Sequence, residues 1–126
     1  MAPVPAEQVD LVFISHGHNH DVGELEREAP LLFADVTELF PNAAVVNIAQ
    51  NPEREASPHR ATQESGVIAL RNWSVRQGYP TIDVFTPFSE QDVEALIDAT
   101  LYHPTEQGYQ FWSDVVNGAL DAADPQ

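Results

Sequence analysis

The apolar positions of this chain fall into short continuous runs, separated by longer stretches in which they recur every three or four residues. Continuous runs read as strands buried on both faces, and the recurring pattern reads as amphipathic helices. The first run, Val9-Asp10-Leu11-Val12-Phe13-Ile14, stops at a polar cluster, Ser15-His16-Gly17-His18-Asn19-His20-Asp21. A helical pattern begins near Val22, and Leu25, Ala29, Leu32, Phe33, Val36 and Leu39/Phe40 share a face across residues 24–40. Pro30 is a point where that helix breaks or starts afresh, and Pro41-Asn42 ends it.

Residues 43–49 form a second short strand, followed by the loop Gln50-Asn51-Pro52. Val67, Leu70, Trp73 and Val75 mark a helix over 61–77 that Gly78 closes as a left-handed cap. Residues 81–85 form a third strand, before a Thr86-Pro87-Phe88 loop. Ser89, with Glu90 and Asp92 in the first turn, caps a short helix through Ile97. Residues 98–103 are a loop, and Pro104 opens the last helix, with Tyr109, Trp112, Val116 and Leu120 on its buried face.

Strands alternating with helices predict an α/β protein, a flavodoxin-like three-layer sandwich around a parallel sheet. Three strands are a narrow floor for helices on both faces. An edge is therefore expected to lack its first strands, which another segment or a partner would supply. Ligands bind beyond the carboxyl ends of such strands, which is where the cluster at 15–21 sits.

A chain of 126 residues is one domain. Its 20 acidic residues face 5 arginines and no lysine, for a net charge of −15. That field repels nucleic acid and anionic membrane surfaces, so neither is expected as a partner. No stretch approaches the roughly 18 apolar residues of a membrane span, and the N-terminus lacks a signal-peptide pattern. With no cysteine there is neither a disulfide nor thiol chemistry. That fits either redox compartment and leaves location open.

Two constellations carry chemistry. His103 follows a loop bearing Asp98, the makings of a base oriented by a carboxylate, though a lone loop histidine is more often plain surface. His16, His18 and His20 alternate beside Asp21, and on an extended segment they share a face able to gather round a metal. Their order resembles the His-x-His-x-Asp-His motif of metallo-β-lactamase-fold hydrolases with the last two residues exchanged. Elsewhere Asn51-Pro52 reads as turn chemistry. Asp83 reads as a loop hydrogen-bonder, and Trp73, Tyr109 and Trp112 as packing.

Together the pieces resemble the SGNH (GDSL-type) hydrolase family over nearly the whole chain. The strand 10–14 followed by Gly17-His18-Asn19-His20 is similar to that family's third block, a strand ending in Gly-x-Asn-Asp. Residues 45–52 and 78–85 resemble its next two strands. His103-Pro104-Thr105-Glu106-Gln107-Gly108 resembles its fifth block, His-Pro-Asn-x-x-Gly.

The resemblance implies His103 as general base and Asn19 as oxyanion donor, with Gly17 as the hinge of the loop. It also implies Gly17, Asn19 and Asn51 as substrate-binding, with no metal and no cofactor. Asp98 would orient the base, although the family's acid stands three residues before the histidine, where this chain has Thr100. The implied activity is serine-dependent ester hydrolysis, of carbohydrate acetyl groups or lipid esters.

Two family blocks have no counterpart. None of Ser15, Ser57, Ser65, Ser74, Ser89 or Ser113 follows a Gly-Asp pair, and the block with a backbone oxyanion glycine is absent. Residues 1–126 are thus expected to be one SGNH-like domain, incomplete at its N-terminus, whose nucleophile lies on another segment or subunit. The alternatives are a metal-dependent hydrolase using His16, His18, His20 and Asp21, and a non-catalytic SGNH-like structural or binding module.

Overall fold

The computed structural model describes residues 3–17 and 20–123. After a single turn of 3-10 helix at Ala6–Gln8, three strands, β1 (Leu11–Ile14), β2 (Ala44–Ala49) and β3 (Thr81–Asp83), form a parallel sheet in that order. Phe13 pairs with Val46, and Asn47 with Thr81. Helices α1 (Val22–Leu39) and α2 (Arg60–Arg76) make the crossovers. Two short helices, α3 (Phe85–Ser89) and α4 (Val93–Leu96), precede the long α5 (Glu106–Ala123).

Successive strand residues point to opposite faces, so each face has its own core. On one, Ile14 and Val45 meet Leu25, Ala29 and Phe33 of α1 and Leu70 of α2. On the other, Val46, Ile48 and Ile82 meet Phe88, Ile97 and Val116. The architecture is the three-layer sandwich expected from the sequence.

β1 is the exception to burial. Leu11 and Phe13 are each 41% exposed, and among the described residues nothing pairs with the outer edge of β1. No helix of the described residues is long and apolar enough to cross a membrane.

Several local expectations are corrected. Pro30 does not interrupt α1, which runs unbroken through it. The proline faces solvent, where water can take the carbonyl it leaves free, while Leu25, Ala29 and Phe33 pin both halves to one core. The third strand stops at Asp83, and Phe85 and Thr86-Pro87-Phe88 are helical. The Asp83 carboxylate turns back to accept from the Thr86 N–H at 2.9 Å and the Thr86 hydroxyl at 2.6 Å. Pro87 lies in the first turn, where no N–H is needed, and Phe85 and Phe88 are buried.

Ser89 ends α3 instead of capping the next helix, and its hydroxyl donates to the Phe85 carbonyl at 2.7 Å. Helix α5 starts at Glu106, after Pro104 has paired with Ile97 in an antiparallel bridge. Its inward face is Gly108, Phe111, Trp112, Val115, Val116 and Ala119. Tyr109 is 54% exposed and Leu120 36%, because Gly108 sets the roll of the helix. A Cβ there would lie 2.2 Å from the Leu96 carbonyl oxygen and 2.9 Å from Pro104 Cβ, so only glycine permits this contact.

Candidate active site

The loop leaving β1 turns at Gly17, whose φ of +111° lies in the region that favours glycine. The His20 N–H returns to the Gly17 carbonyl at 3.3 Å. Asp21 then starts α1 through a capping box, its carboxylate accepting from the Glu24 N–H at 2.9 Å. Helix α2 presses close to this loop. A Cβ on Gly66 would lie 3.0 Å from the His20 carbonyl oxygen and 3.0 Å from Leu25 Cδ1. His18 and Asn19, the latter expected to be the oxyanion donor, lie outside the described residues.

His103 stands at the end of the loop 98–103, which the bridge between Ile97 and Pro104 closes at its base. The Asp98 N–H donates to the His103 carbonyl at 2.8 Å. Asp98 and His103 are joined through Thr100. The Thr100 hydroxyl bonds the Asp98 carboxylate and lies 3.1 Å from His103 Nδ1 and 3.2 Å from the His103 backbone N.

A hydroxyl has one proton and two lone pairs. The backbone N–H can only donate and the carboxylate can only accept, so the Thr100 proton goes to Asp98. The remaining lone pair takes the Nδ1–H of His103, so in the neutral tautomer the acceptor nitrogen is Nε2. Hydrogen bonds from Thr100, first the hydroxyl and then the backbone N–H, hold the Asp98 carboxyl below its ordinary value.

The segment after β2 secures the loop. The Asn51 side-chain amide donates to the Pro52 carbonyl at 3.1 Å and the Tyr102 carbonyl at 3.2 Å. Both its amide hydrogens are therefore committed, and Asn51 positions the His103 loop. The Arg54 N–H donates to the Leu101 carbonyl at 2.8 Å. Leu101 has φ +80°, and among the described residues it alone, glycines apart, has positive φ. That conformation costs roughly 1–2 kcal/mol for an L-residue.

These loops enclose a cleft of about 720 Å³ lined by His20 and Asp21 on one side and Tyr102 and His103 on the other. Glu53, His59, Thr62 and Gln63 also line it. Glu53 is only 3% exposed and accepts the Ser57 hydroxyl, whose oxygen also receives the His59 N–H at 3.3 Å. Sequence reasoning passed over Glu53 and His59 in this role. They stand in a polar stretch without periodicity, and only the packing of that stretch under the His103 loop turns them toward the cleft.

His103 also borders a second depression, of about 360 Å³, with Ser15, Asn51, Tyr109 and Trp112. Tyr109 thus serves an open surface, whereas Trp112 also packs against the core. Trp73 packs with Phe33 and Tyr79. Asp83 ion-pairs with Arg71 at 3.1 Å.

Of the alternating histidines, His16 and His20 come together with Glu28, not with Asp21, whose carboxylate is engaged at the cap. One donor atom from each of the three lies within 4.8 Å of the other two. Among the described residues this is the one such group of metal-ligating side chains.

No family model matches the chain, and no curated protein matches it in sequence. Solved structures do share its fold. The lipase/acylhydrolase from Enterococcus faecalis superposes with a TM-score of 0.73 at 14% identity, over 93% of this chain and 64% of its own. The esterase domain of the ZfL2-1 ORF1 protein from the zebrafish ZfL2-1 retrotransposon gives 0.65 at 18% identity, over 81% and 64%. The chain thus spans just under two thirds of each. What it shares with them is the fold, a three-layer α/β sandwich.

Proposed function

We propose that this chain is the base-carrying part of an SGNH-type serine esterase. The observation that carries the reading is the single cleft at the carboxyl ends of the strands, onto which both the loop after β1 and His103 open. The tautomer set by Thr100 and Asp98 supports the role of the base. The unpaired edge of β1, with Leu11 and Phe13 uncovered, supports completion of the sheet by a further segment or subunit.

In this mechanism a serine hydroxyl on the completing segment attacks the ester carbonyl while His103 Nε2 takes its proton. The Asn19 side-chain amide holds the negative oxygen of the tetrahedral intermediate, with Gly17 as the hinge that lets its loop approach. Collapse expels the alcohol, which leaves with the proton from His103. Water then attacks the acyl-serine with His103 taking its proton, and collapse breaks the serine ester, releasing the acid while His103 returns the proton to the serine oxygen. The substrate is a small-molecule, carbohydrate or lipid ester.

The test is hydrolysis of p-nitrophenyl acetate. The chain alone should be inactive. Co-expression with a segment carrying Gly-Asp-Ser should give activity that His103→Ala abolishes. Strong turnover by the chain alone, lost in His103→Ala, would refute the need for completion and turn attention to Ser15, which shares a depression with His103.

A further inference from the structure

The loop after β1 and the second turn of α1 bring together a cluster that the esterase reading does not use. His16 and His20 are four positions apart, with ring centroids 4.5 Å apart and planes tilted by 43°. Glu28 reaches them from α1, a rigid platform because its neighbours Leu25 and Ala29 are buried in the core. His20 Nε2 and Glu28 Oε2 are 3.5 Å apart. That is close to the ~3.4 Å edge of a tetrahedron whose ligands stand about 2.1 Å from zinc.

The donor atoms of the three side chains all lie within 4.8 Å of one another. His20 Nδ1 is buried without a hydrogen-bond partner among the described residues.

We propose that His16, His20 and Glu28 bind one transition-metal ion of the zinc(II) class. Two imidazoles and a single carboxylate suit zinc, cobalt, nickel or copper, whereas calcium and magnesium take all-oxygen sets. Three protein ligands leave a fourth position for water or an anion. Because His20 also lines the cleft beside His103, the bound ion fixes that wall of the cleft and ties the β1 loop to α1. The site stands independently of the esterase reading.

Zinc(II) titration of the metal-free chain against a chromophoric chelator tests the proposal, with cobalt(II) absorption as a readout of coordination. One equivalent should saturate the chain and raise its Tm. His16→Ala and Glu28→Gln should each weaken binding by at least about tenfold, while His59→Ala leaves it unchanged. Far-UV circular dichroism checks that each variant is folded, and either of the first two suffices alone. The absence of saturable binding at one equivalent would overturn the proposal. So would affinity that survives both His16→Ala and Glu28→Gln, or affinity lost only in His59→Ala.

Discussion

His103 Nδ1 lies 3.1 Å from the Thr100 hydroxyl, and that hydroxyl in turn bonds the Asp98 carboxylate, so the imidazole and the acid communicate through a threonine. Thr100→Val keeps the shape of the side chain and removes the relay. In the isolated chain, nitrogen-15 NMR should show the His103 tautomer shifting from pure Nδ1–H to a mixture. In the completed enzyme kcat should fall by about tenfold to a hundredfold, less than the roughly 10²–10⁴ that a whole general base contributes. An unchanged tautomer would sink the relay.

Two glycines of α5 make opposite predictions. Gly108→Ala drives a methyl group into the Leu96 carbonyl and should destabilise the chain by about 1–3 kcal/mol. Gly118 has nothing within 4 Å of a built Cβ, so Gly118→Ala should stabilise by about 0.5–1 kcal/mol through helix propensity. Urea unfolding of the two variants decides the matter. Equal effects would mean that the roll of the helix is not fixed at Gly108.

Beneath the sheet, the fully buried Asn47 donates to the Ser74 hydroxyl at 3.1 Å, and that hydroxyl lies 2.7 Å from Thr81 Oγ1. Ser74→Ala strands the Asn47 amide and should cost about 1–3 kcal/mol. The urea midpoint should fall at unchanged m.

His16 sits below its ordinary value of 6.5, first through burial and then through the charge of His20. The unfolded chain therefore binds more protons there as the pH falls below 6.5. This contribution to stability declines from that pH downward, until the folded-state value is passed. An NMR titration of the His16 ring should give a midpoint below 6.5, and His16→Ala should flatten the acid limb of the stability curve. A midpoint above 6.5 would contradict the burial argument.

The layers of the fold were legible because β2 is a continuous apolar run and α1 keeps its period through Pro30. The end of β3 was not. Ile82-Asp83-Val84-Phe85 is apolar enough for either state, and only the return of the Asp83 carboxylate to Thr86 decides it. The face of α5 was read one step around the helix, since a glycine carries no hydropathy to mark where a helix touches. His103 stands in the run His103-Pro104-Thr105-Glu106-Gln107-Gly108, and the structure sets it beside the cleft. Thr100 stands three residues before His103, and no local pattern marks its hydroxyl as the bridge to Asp98. The cleft walls at Glu53 and His59 depend on contacts between segments distant in sequence, which no local pattern encodes.

The strained Leu101 and the two hydrogen bonds from Asn51 and Arg54 share one consequence. The loop that carries His103 is moored to the segment that leaves the middle strand, β2. In the completed enzyme Asn51→Ala, which removes the side-chain bond to the Tyr102 carbonyl, should then slow turnover. Leu101→Gly, by slackening that tether, should give a sturdier molecule and a clumsier catalyst.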